Sequence, residues 1–293
     1  GITGRLMTIY NANKTTKQRC ISHAVLALLL CSTPAAAQEA SRHVLFTTCL
    51  DFSSGDYGSD QTTDMLYIPF TTKYGTDQWS ATLTIPWISL ESDGETIIGP
   101  DGRPIPVPGG EPTSESGLGD ITAAYTWFAY PGTETYPIVD VTGRIKFPTA
   151  DEDKGLGTGE MDFALETDLI KGINQHSLFL TLGYKIFGDL PDFEIDNVFY
   201  MSIGDSYRYS NQTSFGAFFD ARQATTEFSD GVSELTGFVS HRLTDKWKLM
   251  SYLVAGFSNA SPDWGIGVMV SRHTGFDELG RILPSLRRDV FQF

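Results

Sequence analysis

Cysteine is nearly absent from this chain. There are three in 293 residues, and Cys20 and Cys31 fall in the N-terminal segment, which leaves Cys49 alone. A single thiol excludes a disulfide framework, a thiolate metal site and a CxxC redox pair. Positive charge is scarce too, with 21 Lys and Arg against 36 Asp and Glu. Residues 1–37 hold four of the bases (Arg5, Lys14, Lys17, Arg19) and no acid, so the rest carries 17 bases against 36 acids, a net charge of −19. So acidic a surface excludes a nucleic-acid partner. Nor does any run of about 18 apolar residues follow residue 37, so no transmembrane helix is expected. G-x-S-x-G and H-E-x-x-H are missing as well. No catalytic residue, cofactor site or metal site is expected, and the chain reads as a non-enzyme.

What the chain has instead is a rhythm. Val139, Val141, Gly143, Ile145 and Phe147 alternate with Asp140, Thr142, Arg144 and Lys146. Met161, Phe163, Leu165 and Leu169 alternate with Glu160, Asp162, Glu166 and Asp168. Successive side chains of an extended strand point to opposite faces, so each such segment has one oily face and one charged face. Repeated from about Val44 to Ser271, with aromatics at the segment ends, this is the pattern of a transmembrane β-barrel. The fold class expected is all-β: an antiparallel barrel of about 12 strands, of the outer-membrane type. Residues 1–37 fit an N-terminal extension and signal peptide. Lys14, Lys17 and Arg19 precede the apolar run Ile21–Leu30, and Ala35-Ala36-Ala37 supplies a cleavage site after Ala37. The barrel is assigned to 38–276 and a C-terminal tail to 277–293. In that tail Leu279, Ile282, Leu283 and Leu286 have helical spacing, although frameshifted read-through would also account for it.

The strands are expected at 43–53, 62–74, 79–91, 117–130, 136–148, 159–171, 176–187, 193–208, 212–225, 232–243, 246–257 and 263–273. Tight and loose connections alternate along this series, as short periplasmic turns and longer outer loops do in bacterial barrels. Tyr74, Trp79, Trp127, Tyr130, Tyr136, Tyr207 and Trp247 fall where a periplasmic aromatic girdle belongs. Trp87, Phe147, Phe187, Phe193, Phe257 and Trp264 fall at the outer one. The opposite parity gives the lumen and constriction candidates: Asp140, Arg144, Lys146, Asp162, Glu166, Lys185, Asp220, Arg222, Glu234 and Arg242. Lys73, Asp168, Glu194 and Asp196 share that parity. Arg144 and Lys146 are placed to pair with Asp162 and Glu166 on the next strand. Such a network fills and stiffens the barrel, forms a charged constriction, or does both.

Two loops stand apart. Gly155-Leu156-Gly157-Thr158-Gly159 has the glycines of a nucleotide loop, but an acidic run precedes it and a strand follows, so it reads as an outer hairpin. The acidic run Asp151-Glu152-Asp153 could share a divalent cation with lipopolysaccharide. Residues 97–112 are dense in Pro and Gly, and loops of this length are commonly functional; this one is the best candidate for a lid or plug. His176-Ser177 is the nearest approach to a base and nucleophile, yet adjacent strand residues face opposite ways.

Ser53–Gly58, Ser116–Asp120, Lys146–Gly159 and Ser261–Gly265 together resemble the outer-membrane family called "MetA-pathway of phenol degradation", often labelled simply transporter. The resemblance spans nearly all of the chain after the signal, and the Lys146–Gly159 run is its most specific part. It implies a barrel that admits small, often aromatic or hydrophobic compounds. The expected function is thus an outer-membrane channel for a small-molecule solute. Its partners would be outer-membrane lipids, lipopolysaccharide and the barrel assembly machinery, with no nucleic acid and no cofactor. The alternatives are a non-conducting structural or adhesive barrel and, third, an outer-membrane lipid hydrolase.

Overall fold

The computed structural model describes residues 43–99, 102–107, 111–189, 195–226 and 229–274. The signal segment, the tail, Phe193 and Glu194 lie outside the described residues.

The chain forms a closed antiparallel barrel. Its strands are β1 (His43–Gly55), β2 (Thr63–Gly75), β3 (Trp79–Ser92), β6 (Thr113–Leu118), β7 (Ile121–Tyr130), β8 (Ile138–Phe147), β9 (Asp162–Ile173) and β10 (His176–Ile186). They continue with β11 (Val198–Arg208), β12 (Thr213–Arg222), β13 (Val232–Arg242), β14 (Trp247–Gly256) and β15 (Trp264–His273). A small hairpin, β4 (Thr96–Ile98) with β5 (Pro104–Pro106), belongs to the connection after β3. Apart from the short β6, which pairs with β3, each barrel strand pairs with a neighbour on both sides, and β1 pairs with both β2 and β15, so the barrel closes. That closure is what a lipid environment requires, because an open edge there would leave backbone N–H and C=O groups without partners.

β6 and β7 both pair with β3 and together make one stave, so the barrel has twelve. A single strand is expected over 117–130; the structure interrupts it at Gly119-Asp120 and starts it earlier, at Thr113. The cause lies in β3. Pro86 has no N–H to give the ladder, and pairing with β7 ends at Thr84 while pairing with β6 resumes at Trp87. Across the gap Gly119 N–H donates to Pro86 O at 3.0 Å. A Cβ on Gly119 would lie 2.7 Å from Ile88 Cδ1, so glycine lets the backbone come this close.

Residues on the two faces differ as the pleat demands. Leu50, Phe70, Leu165, Leu182, Phe199, Ile203 and Leu253 are exposed on the outside. A continuous apolar belt of this kind is unfavourable in water and is matched by lipid. Facing in are Thr47, Thr71, Thr84, Thr126, Thr142 and Ser271, joined as cross-strand hydroxyl pairs: Thr47–Ser271 at 3.1 Å, Thr71–Thr84 at 3.0 Å and Thr126–Thr142 at 2.9 Å. Aromatic contacts mark both rims. Tyr74, Trp79 and Tyr125 form a chain of rings at one end, and Phe52 meets Trp264 at the other. Phe187 is different from its expected place in the outer girdle. It continues the inward parity of Lys185, is buried, and lies beneath the Lys185 ammonium, 4.9 Å from its ring centre.

Candidate functional site: the lumen and its outer mouth

The lumen has two unlike walls. β8, β9 and β10 present charge. Arg144 Nε donates to Glu166 Oε1 at 3.1 Å, and Lys146 Nζ lies 2.9 Å from Asp162 Oδ2. Register explains the geometry: Lys146 is directly opposite Asp162, whereas Arg144 is opposite Ala164 and reaches diagonally past that small residue to Glu166. Lys185 joins from β10, 3.8 Å from Asp162. Asp120, at the break between β6 and β7, ties this wall to the outer loop. Its Oδ2 is 3.1 Å from Lys146 Nζ, and its Oδ1 accepts the N–H groups of Thr149 (3.0 Å) and Ala150 (2.9 Å).

The remaining inward positions fall elsewhere. Asp140 is buried opposite Asp168 in the register, with Thr181 Oγ1 donating to Asp168 at 2.8 Å. Asp220 and Glu234 face one another across β12 and β13, with Arg222 two residues along. Arg242 is the last residue of β13, beside a tight turn, and donates to Asn211 O at 2.8 Å. Lys73 is buried near the end of β2. Asp196 is in the connection before β11, its N–H donating to Thr225 O at 2.8 Å. Asp151, Glu152 and Asp153 form a short turn capped by Gly155 at φ 66°, and among the described residues no three His, Cys, Asp or Glu side chains gather as a metal site would need. His176 pairs with Asp205 at 2.6 Å and meets the Tyr207 ring, while Ser177 takes the other parity.

The opposite wall is apolar and phenolic. Met65, Tyr67, Ile88 and Leu90 cluster toward the outer end with Ile98 and Leu156, which two outer loops bring inward. Cys49, Met250, Tyr252 and Met269 form a second cluster. The Tyr252 hydroxyl contacts Cys49 Sγ at 3.3 Å and donates to Asp51. Two rings lie flat over glycines of the next strand: a Cβ on Gly267 would fall 1.9 Å from the Tyr252 ring, and one on Gly183 would fall 2.1 Å from that of Tyr200. Gly267 is Tyr252's register partner, and Gly183 is Tyr200's. The glycines are what leave room for phenols to lie along the inner wall.

Between the walls is a cavity of about 150 Å³, lined among others by Asp51, Tyr67, Arg144, Tyr200, Asp220 and Tyr252. Its outer side is formed by Tyr57, Arg103 and Pro104. Arg103, on the connection after β3, makes a two-pronged ion pair with Glu234, its Nη2 at 3.0 Å from Oε2. Tyr57 has a positive φ of 47°, rare for a bulky residue, and its hydroxyl meets Ser53 Oγ at 3.3 Å. Burial pushes its phenol up to about 12, so it stays neutral. Sequence reading did not single out Arg103, Tyr57, Asp51 or the lumen tyrosines. Strand parity offered a signal for Tyr67, Tyr200 and Tyr252; the density of Pro and Gly marked the loop over 97–112 that carries Arg103, but not Arg103 itself.

No family model matches the chain, and no curated protein matches it. Among solved structures, an outer membrane channel from Pseudomonas putida F1 superposes with a TM-score of 0.61 at 14% identity, covering 83% of this chain and 100% of that one. The NanC porin gives 0.48 at 8% identity, over 79% of this chain and 100% of its own. A monoaromatic hydrocarbon channel, CymD, gives 0.43 at 12%, over 82% and 90%. At these identities the likeness is one of fold: the chain is a β-barrel of the bacterial outer-membrane type.

Proposed function

We propose that this protein is a narrow outer-membrane channel for small molecules. The observation that carries the reading is the cavity inside the barrel. Its volume matches the scale, about 150 Å³, at which an apolar protein cavity takes a benzene ring. One side offers Tyr67 and Tyr252, and the other offers Tyr200 beside charges that are already engaged, as Arg144 is with Glu166. A small, mostly apolar solute with one polar group suits that lining. The resemblance to the phenol-degradation family points the same way, toward aromatic or hydrophobic compounds. Twelve staves lie between the eight that side chains fill and the sixteen or more that leave an aqueous pore, so small conductance is expected.

The apolar belt would sit in outer-membrane lipid, with the longer connections toward lipopolysaccharide, and folding would pass through the barrel assembly machinery. The test is uptake of a radiolabelled aromatic compound by a porin-depleted host, with and without this protein. Faster uptake, together with small steps of ion conductance in a planar bilayer, is the expected result. The second reading, a non-conducting structural barrel, draws support from the buried ion pairs and the apolar clusters that occupy the lumen. Unchanged uptake with no conductance would establish it in place of the first.

A further inference from the structure

The connection after β3 does not stand away from the barrel. Ile98 is 3% exposed and packs with Met65, Tyr67, Ile88, Leu90 and Leu156 on the β2–β3 side. Its N–H donates to Gly155 O at 2.7 Å, which ties the hairpin to the neighbouring outer loop. From that anchored side Arg103 extends to Glu234 on β13. Around the ring β3 is followed by β2, β1, β15, β14 and then β13, so the two ends of this bridge stand five staves apart. The hairpin thus spans the mouth, and Arg103 and Pro104 form part of the roof of the cavity beneath.

The two attachments differ in kind. The near one joins apolar packing around Ile98, which is non-directional, to hydrogen bonds from the Ile98 and Thr96 N–H groups, so it holds as the fixed end. The far one is a fork of charge-assisted hydrogen bonds, which holds in one arrangement and is lost together. Between them is a hairpin whose strands have three residues each, and a lone two-stranded hairpin has little stability of its own. We propose that Arg103 and Glu234 are the specificity-determining latch of the outer mouth. While they are joined, the hairpin bars all but the smallest solutes; when they part, Arg103 and Pro104 lift away on the fixed end and open the cavity. Arg222, on the neighbouring strand, lines the same cavity, so Glu234 keeps a positive charge beside it when Arg103 leaves for the solvent. This inference rests on the channel reading.

The experiment uses the full protein reconstituted in planar bilayers and liposomes, read by potassium chloride conductance and by liposome swelling in arabinose. Arg103→Ala removes the fork from a loop residue and leaves every barrel strand unaltered. Losing one partner of a charged hydrogen-bonded pair shifts a closed–open ratio about tenfold or more, so flux should rise. Arg103→Glu with Glu234→Arg should return it toward the wild-type level. Arg103→Cys with Glu234→Cys, in a Cys49→Ser background, joined through two disulfides by a short bis-methanethiosulfonate linker, should block arabinose entry, and a reductant that cleaves those disulfides should restore it. Single-cysteine variants serve as controls. If the linked pair passes arabinose as freely as the reduced pair, the latch is wrong. Should Arg144→Ala with Glu166→Ala raise flux while no change at Arg103 or Glu234 does, the latch fails and the channel stands. If no variant conducts, both are overturned.

Discussion

Removing Arg144 alone should cost more than removing Arg144 and Glu166 together. Glu166 is 1% exposed and Arg144 is 8% exposed, so neither has bulk water to fall back on. Stranding one partner of a buried ion pair costs about 3–5 kcal/mol, whereas removing both is often close to neutral. Arg144→Ala and Glu166→Ala should each destabilise the barrel by an amount in that range. The double variant should cost less than either, by about 2 kcal/mol, since the two side chains meet only diagonally across Ala164 and their loss opens space without distorting the ladder.

Urea unfolding in liposomes reads this directly. Intact barrel is followed by the mobility of unboiled samples on gels, with tryptophan fluorescence as a second probe. Independent sites add to within about 0.5 kcal/mol, so a coupling energy several times larger identifies a buried unit. Conductance supplies a second arm. The double variant removes two long side chains from the cavity's charged wall and should conduct better than wild type. Additive single costs below about 1 kcal/mol each would refute the reasoning. They would mean that water already solvates the pair and that this part of the lumen is open.

Three further outcomes follow from the same geometry. Leu180→Arg places a charge on the lipid face between Leu169 and Ile203 and should cost about 2–4 kcal/mol by urea unfolding. Thr181→Arg, one residue along, faces Asp168 in the lumen and should cost less than half as much. Asp120→Ala removes the acceptor of two loop N–H groups and a partner of Lys146; hydrogen bonds to charged groups contribute about 1.5–3 kcal/mol each. The loss should show as faster proteolysis of residues 148–161 with the barrel still formed. Gly267→Ala drives a methyl into the Tyr252 ring, an overpacking worth about 1–3 kcal/mol, and the displaced ring should make Cys49 react faster with a small thiol reagent.

The parts of this architecture that were legible in the sequence are those governed by period two. β8 and β9 alternate so regularly that the inward set, the outward set and the pairing of Lys146 with the acids of β9 all follow from parity and antiparallel order. Strand ends at Tyr74, Trp79 and Trp247 were legible because an amphipathic ring prefers the interface. Where parity and residue type disagree, parity decides. Phe187 has the chemistry of a girdle residue, but it continues the face of Lys185 and turns inward. What the sequence withheld depends on register between strands far apart in the chain. Gly267 reads as a flaw in an apolar strand until it is seen opposite Tyr252, and Gly183 until it is seen opposite Tyr200. The break at Gly119 has its cause in Pro86, on the neighbouring strand. Arg103 is the extreme case. It sits among prolines and glycines with no periodicity to assign it a face, and its partner is 131 residues later in the chain. A strand residue inherits its direction from the sheet, so local pattern suffices to place it. A loop residue receives its direction from whatever the closed barrel sets across the mouth, and that exists only after the twelfth stave has paired with the first.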